Sequence, residues 1–186
     1  GKNDVILCDR ENHASIFDGC RLSYATLRKY RHNDMADLER QLATLPDDAG
    51  RLVVTDGVVS MKGDLVDLPN LVRIAKKYDA RILLDDAHGL DVLGANGRGT
   101  AEHFGLESEV DLIVGTFSKS FASLGGFAAG KAEVIDYVKH VGRSLMFSAS
   151  ITPASAASAL AALHVIEEKP QRRERLWANI RRMQNA

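Results

Sequence analysis

Two short polar segments carry the residues best suited to chemistry, and each one follows an apolar stretch of chain. Asp85–His88 (Asp-Asp-Ala-His) follows Arg81–Leu84, and Gly115–Ser120 (Gly-Thr-Phe-Ser-Lys-Ser) follows Asp111–Val114. Short runs rich in branched aliphatic residues are typical of buried strands. Because ligands bind at the edge of an open α/β sheet where its strands end, the pattern predicts that a carboxylate, an imidazole and a lysine meet at that edge.

Together these side chains are the parts needed to hold a pyridine cofactor that carries an aldehyde and a phosphate. The carboxylate of Asp85 would keep the ring nitrogen protonated, and the amine of Lys119 would form a Schiff base. Thr116 and neighbouring backbone N–H groups would bind the phosphate. Taken singly, each residue has an ordinary alternative, because strands often end in aspartate and most lysines are solvated.

Composition predicts a globular protein and argues against several other classes. The 186 residues are 45% hydrophobic and 26% charged, which is ordinary for a folded domain. A net charge of −1 gives no general electrostatic reason to bind nucleic acid or an anionic membrane. No apolar run approaches the roughly 20 residues of a membrane span. We therefore expect no nucleic-acid partner and no membrane span.

The cysteines and the start of the chain bear on its compartment. Cys8 and Cys20 form no Cys-x-x-Cys pair and have no histidine cluster at metal-ligand spacing, so we expect structural thiols and no metal site. Free thiols fit a reducing compartment. The chain begins at Gly1 without a charged-then-apolar signal pattern. A cytoplasmic location is the expectation.

Apolar and β-branched runs alternate along the chain with segments of helical periodicity. The expected strands are 5–9, 26–31, 51–56, 81–84 and 111–115. The expected helices begin near 13, 34, 67, 131, 153 and 170, with the first ending near Gly19 and the second near Leu45. Alternation of strand and helix favours a largely parallel sheet, so the predicted fold class is α/β.

In order and spacing, these motifs resemble the α-oxoamine synthases, which are fold-type-I pyridoxal-phosphate (PLP) enzymes that join an amino acid to an acyl-CoA. The resemblance rests on residues 83–88, 94–99 and 115–120 and on the pair Gly125-Gly126, and it extends over nearly the whole chain. It implies PLP as cofactor and an amino acid and an acyl-CoA as substrates. It also implies a three-layer α/β/α large domain with a mostly parallel central sheet.

The resemblance assigns roles to individual residues that match the family's motifs. Lys119 would hold the cofactor and serve as the base, and Asp85 would face the ring nitrogen. His13 would cover one face of the ring and hydrogen-bond the substrate. His88 would donate to the ring oxygen, near which Ser60 would lie. The implied catalytic residues are therefore Lys119, His13 and Asp85.

The phosphate would be bound by hydroxyl groups, of which one comes from a second subunit. Thr116 and Ser118 would contribute from the same chain, while Ser148 would reach the phosphate held by the neighbouring subunit. The resemblance thus implies a homodimer with a shared active site. The full implied cofactor-binding set is His13, Ser60, Asp85, His88, Thr116, Ser118, Lys119 and Ser148.

The chain resembles only the middle of the family. Residues 1–168 are expected to form part of the large PLP-binding catalytic domain, with the upstream part missing. Residues 169–186, after Pro170, are expected to form a helix that leads toward an absent small C-terminal domain. A solvated basic face is the simplest interpretation of this helix, whose arginines are Arg172, Arg173, Arg175, Arg181 and Arg182.

Two positions depart from the family's pattern. Lys62 stands where an acidic residue is frequent, which changes the local charge. Asp91 stands where glycine is common, which would narrow the mouth of the site or require a different turn.

Three alternatives stay open at this stage. Within the family, residues 116–127 look most like the branch that uses serine and palmitoyl-CoA, although synthases making aminolevulinate, aminooxononanoate or aminoketobutyrate are alternatives. Another fold-type-I enzyme, such as an aminotransferase, would share the lysine and the aspartate, but aminotransferases commonly place a tyrosine at the position of His88. The third alternative is an inactive structural subunit or fragment, which the presence of Lys119 argues against.

Overall fold

One six-stranded sheet organises the chain, and the computed structural model describes residues 1–185. In chain order its strands are β1 Val5–Asp9, β2 Thr26–Tyr30, β3 Arg51–Asp56, β4 Arg81–Asp85, β5 Leu112–Thr116 and β6 Gly126–Gly130. In space they lie in the order β2-β1-β3-β4-β5-β6. The first five pair in parallel and β6 is antiparallel to β5. The prediction of a mostly parallel sheet is confirmed.

Helices connect most of the strands, and four more helices come after β6 at the C-terminal end of the chain. They are α1 Ala14–Leu22, α2 Met35–Leu42, α3 Leu68–Lys77, α4 Thr100–Phe104, α5 Ala132–Val141, α6 Arg143–Met146, α7 Pro153–Glu168 and α8 Gln171–Gln184, with a 3₁₀ turn at Glu107–Glu109. Within residues 1–185, no helix combines the length and the apolarity needed to cross a membrane.

The starts of α2 and α3 are set by capping aspartates, as the sequence predicts. Asp34 accepts a hydrogen bond from the backbone N–H of Asp37 at 2.8 Å, and Asp67 accepts one from Asn70 at 3.3 Å. Each carboxylate satisfies one of the backbone donors that the first turn of a helix leaves unpaired. Both helices therefore begin where short-range sequence signals place them.

Two predicted helix ends are wrong by three residues. The first helix continues past Gly19 to Leu22, where the Ser23 hydroxyl donates to the Cys20 carbonyl at 2.8 Å and closes the last turn. The second helix ends at Leu42 instead of Leu45. Leu45 precedes Pro46, and the residue before a proline is disfavoured in the helical conformation.

The antiparallel strand β6 was not predicted from the sequence. Its five residues are Gly-Phe-Ala-Ala-Gly, and neither glycine nor alanine favours strands. Pairing along all five residues of β5, from Leu112↔Gly130 to Thr116↔Gly126, holds the segment in the sheet. Tertiary pairing therefore overrides local preference here.

Helices cover both faces of the sheet. On one face, α2 and α3 pack their buried leucines against β-strand residues such as Leu7, Val53 and Leu84. On the other face, Cys20 of α1 packs with residues of opposite pleat, among them Ile6 and Cys8. Successive residues of a strand point to opposite faces, so β1 contributes to both layers. The predicted three-layer α/β/α arrangement is confirmed.

Candidate active site

A cavity of about 300 Å³ opens at the carboxyl ends of β3, β4 and β5. Parallel pairing brings these strand ends to the same edge of the sheet, as the sequence predicts. The cavity contains seven of the eight residues of the implied cofactor-binding set. Its lining is His13, Ser15, Asp56, Ser60, Asp85, Ala87, His88, Val114, Gly115, Thr116, Ser118 and Lys119.

Asp85, the last residue of β4, and Asp86, which follows it, point in different directions. Asp85 borders the cavity, where its Oδ1 also accepts from the backbone N–H of Ala87 at 3.0 Å. Asp86 is fully buried and accepts two hydrogen bonds of 2.6 Å from Thr100, one from the backbone N–H and one from the hydroxyl. Asp86 thus fixes the start of α4, and Asp85 is the carboxylate that faces the cavity.

Glycine is required around Asp86 because the loops pass very close to its carboxylate. A Cβ added at Gly89 would lie 2.0 Å from Asp86 Oδ1, and one at Gly99 would lie 1.9 Å from Oδ2. Gly99 also has φ of +95°, which side chains rarely adopt. The loop after His88 can therefore wrap around Asp86 only with glycine at these positions.

Lys119 lies in a tight turn between β5 and β6. The Thr116 hydroxyl is 2.8 Å from the Ser118 hydroxyl and accepts from the Ser118 backbone N–H at 3.2 Å. The Ser120 hydroxyl donates to the carbonyl of Leu90 at 2.9 Å, which ties the turn to the loop after β4. Hydroxyl groups thus hold the lysine backbone beside Asp85 and His88.

Burial and neighbouring charges set the basicity of the amine and the imidazole. Desolvation lowers the pKa of Lys119, against the opposing effect of Asp85 and Asp56. Desolvation, followed by the charge of Lys119, lowers the pKa of His88. Both effects disfavour the protonated form. The cavity therefore favours a neutral imidazole at His88 and makes the amine of Lys119 easier to deprotonate.

His13 enters the cavity from the β1–α1 turn. It is the N-cap residue of α1, and its Nδ1 lies 2.8 Å from the Ser15 hydroxyl and accepts from the Ser15 backbone N–H at 3.3 Å. The ring is otherwise exposed at the cavity edge. The imidazole of His13 thus caps α1 and also borders the cavity.

Asp56, the last residue of β3, is a residue of the cavity that sequence reasoning missed. It borders the cavity at 4% exposure, and its Oδ2 accepts from the backbone N–H of His13 at 2.8 Å. Burial, together with the charge of Asp85, raises the pKa of Asp56 to about 6. The available signal was the one used for Asp85, a carboxylate at the end of a buried strand. Ser15 was also missed.

Lys62, the first departure from the family's pattern, lies outside the cavity lining. Its amine makes an ion pair with Glu11 at 2.6 Å on the surface. Ser60, two residues earlier in the same loop, does border the cavity. The added positive charge is therefore paired locally and does not enter the cavity.

Asp91, the second departure, adopts a left-handed backbone and binds α8. Its φ is +59°, in the region where glycine is common. Its carboxylate accepts from Arg173 at 3.2 Å, and the same guanidinium donates to the Ala95 carbonyl at 2.8 Å. Trp177 donates to the carbonyl of Val92 at 2.7 Å. Asp91 thus serves in a turn that docks the final helix.

This docking corrects the expectation of a solvated basic face on α8 at Arg173 alone, since Arg172, Arg175, Arg181 and Arg182 are exposed. Arg173 is only 9% exposed, although the helix has a strongly polar sequence. The hydrogen-bond acceptors of Arg173 lie in a loop 78 to 82 residues earlier in the chain. Local sequence patterns contain no information about such distant partners.

Ser148 is the implied site residue that the structure places elsewhere. It is exposed, and its hydroxyl donates to the carbonyl of Ser144 on the preceding turn. Neither Ser148 nor Ser150 caps the neighbouring helix α7, because Thr152 caps it by accepting from the Ser155 backbone N–H at 3.2 Å. A role for Ser148 at the site of a second subunit stays a prediction.

Comparison with known proteins places this geometry in a family. Residues 1–186 match the aminotransferase class I and II family. The chain belongs to this family. It is 59% identical over 179 residues to a serine palmitoyltransferase of Sphingobacterium spiritivorum, covering 96% of this chain and 45% of that protein. An 8-amino-7-oxononanoate synthase of Thermosipho melanesiensis is 49% identical, with 96% of this chain and 46% of that protein covered.

A solved structure agrees with the fold. Serine palmitoyltransferase from S. paucimobilis, with a bound PLP–myriocin aldimine, has a TM-score of 0.93 and 40% identity, covering 96% of this chain and 45% of that one. The resemblance to the α-oxoamine synthases and the fold-type-I architecture are confirmed. The chain spans a little under half the length of these relatives.

The donor set of the cavity fits PLP. A primary amine is present for an aldehyde, a carboxylate for a ring nitrogen, imidazoles for a ring face and a ring oxygen, and hydroxyls for a phosphate. All of these groups border one cavity, which is of the size of small-molecule sites. We therefore take PLP as the group that these residues would hold.

Proposed function

We propose that the intact protein is a PLP-dependent acyltransferase that condenses an amino acid with an acyl-CoA, usually with decarboxylation, and that it is of the serine palmitoyltransferase type. The observation that carries the proposal is one cavity containing Lys119, Asp85, His13 and His88. Bound PLP would supply an electron sink for the negative charge left when the α-proton of the amino acid is removed. The residues of this chain would bind the cofactor, move the proton and control the charge on the ring.

Lys119 is the group proposed to bond to the cofactor and to move the proton. A neutral amine is the form that bonds to an aldehyde and that accepts a proton. The lowered pKa of Lys119, caused by its desolvation, increases the fraction of that form near neutral pH. The hydrogen bond from Ser120 to the Leu90 carbonyl holds the turn of Lys119 against the loop after β4, which would keep the amine close to a bound substrate.

Asp85 and His88 are proposed to control charge on the ring. A carboxylate next to a ring nitrogen favours the protonated nitrogen, because opposite charges stabilise each other. His88, whose pKa is lowered by burial, would donate a hydrogen bond to the ring oxygen as a neutral imidazole and add no second positive charge. His13 would cover one ring face and hydrogen-bond the substrate carbonyl.

The phosphate is proposed to bind at Thr116 and Ser118, whose hydroxyls lie 2.8 Å apart beside the cavity. A phosphate dianion needs several donors, so this pair supplies part of the set. We infer that Ser148 of a second copy completes it and that the active protein is a homodimer. The two cysteines are buried free thiols, which supports a location in the reducing cytoplasm. An enzyme of the serine palmitoyltransferase type would act in sphingolipid biosynthesis.

Substrate preference is the experiment that tests this proposal. The intact protein would be assayed with serine, alanine and glycine against long and short acyl-CoAs, and serine with a long acyl chain is the expected pair. A preference for glycine or for a short acyl chain would contradict the serine palmitoyltransferase type. A preference for alanine would instead favour 8-amino-7-oxononanoate synthase, the name of relatives at 49% identity, because its product has a methyl group on the carbon that holds the amine. Amino transfer to an oxo acid without acyl-CoA would instead identify an aminotransferase.

A further inference from the structure

Hydrogen bonds in both directions join the turn that contains His13 to the end of β3. The side chain of Asn12 donates to the Val54 carbonyl at 2.9 Å and accepts from the Asp56 backbone N–H at 2.9 Å. The carboxylate of Asp56 in turn accepts from the His13 backbone N–H at 2.8 Å. Asn12 and Asp56 are 6% and 4% exposed. Two buried side chains thus join adjacent strand ends at the point where the imidazole enters the cavity.

The ring of His13 has few other constraints. Its Nδ1 contacts Ser15, which lies two residues along the chain in the first turn of α1, the helix that His13 caps. Among residues 1–185, no hydrogen bond joins the imidazole to another element. The position of the ring over the cavity therefore depends on the backbone at residue 13, and Asp56 is the side chain that binds this backbone directly.

Strand termination alone does not explain a carboxylate at position 56. Burying a carboxylate at 4% exposure, beside the charge of Asp85, opposes its ionisation. An apolar side chain would end the strand without that cost, but it would leave the His13 backbone N–H without this acceptor. What the carboxylate supplies is an acceptor at the correct distance for the His13 N–H, together with a negative charge that faces Lys119 across the cavity.

We propose that Asp56 is a positioning residue for the reaction: it holds His13 over the cofactor by accepting the His13 backbone N–H. This rests on the proposed function, since the cavity is taken to hold PLP. The role needs an acceptor oxygen at residue 56 and does not need its charge. Asparagine at this position should therefore preserve it, and alanine should abolish it.

The test compares Asp56→Ala and Asp56→Asn in the intact protein by two measurements. Amide hydrogen exchange at His13, read without cofactor, should be about tenfold faster or more in Asp56→Ala, as expected for a lost hydrogen bond, and near wild type in Asp56→Asn. PLP affinity, read by absorbance titration, should weaken about tenfold in Asp56→Ala and recover in Asp56→Asn. Asp48→Ala, which removes an exposed turn carboxylate, is the matched control.

The outcomes separate this role from simple stabilisation of the strand. If Asp56 only stabilises β3, exchange would rise equally at Val53, Val54 and His13. That result, or unchanged exchange at His13 in Asp56→Ala, would overturn the proposal, as would an equal loss in Asp56→Asn. If wild-type protein binds no PLP, the proposed function fails, while the exchange measurement still decides whether Asp56 holds His13. If Asp56→Ala does not fold, slow exchange at His13 in Asp56→Asn alone supports the role, and fast exchange overturns it.

Discussion

Three carboxylates at the ends of neighbouring strands have different roles because each side chain contacts different groups. Asp85 borders the cavity, Asp86 is buried against Thr100, and Asp56 binds the turn of His13. Alternation along a strand sends adjacent side chains to opposite faces, which is consistent with Asp85 facing the cavity while Asp86 is buried. Sequence reasoning missed Asp56, because the hydrogen bond from this carboxylate to the His13 backbone spans 43 positions.

Replacing each β4 aspartate by asparagine should separate catalysis from folding. Asp85→Asn removes the charge proposed to face the ring nitrogen, so kcat/KM should fall by about 10²-fold or more while the unfolding free energy changes little. Asp86→Asn replaces an acceptor of two hydrogen bonds to Thr100, so the free energy of unfolding should fall by about 1–3 kcal/mol. Steady-state kinetics and urea unfolding measure the two effects. Equal losses of activity at equal stability would be evidence against the assignment of Asp85.

Asp56→Asn should also change how stability depends on pH. Burial raises the pKa of Asp56 from its ordinary 3.8 to about 6, so the folded state holds a proton that the unfolded state loses. The stability of the wild type should therefore fall, relative to Asp56→Asn, as pH rises from about 4 to about 6, and the difference should be constant above about 7. Solvent in the open cavity reduces the expected difference to about 1–2 kcal/mol.

Urea unfolding of the cofactor-free protein at pH 4, 6 and 8 gives this difference, with Asp48→Asn as the control for a general charge effect. A wild type that gains stability over Asp56→Asn with rising pH would show that the carboxylate is stabilised by its surroundings and not desolvated. The sign of the change, more than its size, decides the point.

At the scale of elements, the sequence predicts the strands and helix starts that depend on neighbouring residues. Strands β1, β3, β4 and β5 coincide with runs of branched aliphatic residues, and α2 and α3 begin at capping aspartates. The missed features depend on distant partners. Strand β6 forms by pairing with β5, and α8 buries Arg173 against a loop about 80 residues earlier. Neither partner can be read from the residues of the element itself.

The contact between α8 and the loop after His88 should be measurable. Arg173→Ala removes the hydrogen bonds to Asp91 and to the Ala95 carbonyl and should lower the unfolding free energy by about 1–3 kcal/mol. Hydrogen exchange in residues 89–97 should rise at the same time. Arg175→Ala, on the exposed side of the same helix, is the matched control and should change neither. Equal effects of the two variants would contradict specific docking by Arg173.

At the scale of the whole molecule, our proposal is that a second copy completes the phosphate site. Ser148 lies outside the cavity of its own chain, while Thr116 and Ser118 border that cavity. If Ser148 serves the neighbouring subunit, cofactor binding and self-association are thermodynamically linked. PLP should then tighten the dimer of the intact protein in sedimentation experiments. Ser148→Ala should weaken this coupling, whereas Ser150→Ala, in the same exposed segment, should not. A fully active monomer would contradict the shared site.

The identity of the lysine that binds PLP tests the account most directly. Borohydride reduction of the PLP-loaded intact protein would fix the cofactor to its amine, and peptide mapping would locate it. The label should be found on Lys119, which is the lysine that borders the cavity beside Asp85 and His88. Lys119→Ala should abolish labelling, and Lys62→Ala, which removes a surface ion pair, should leave it unchanged. Label on Lys62 or Lys131, or undiminished label in Lys119→Ala, would contradict the assignment of this cavity as the active site.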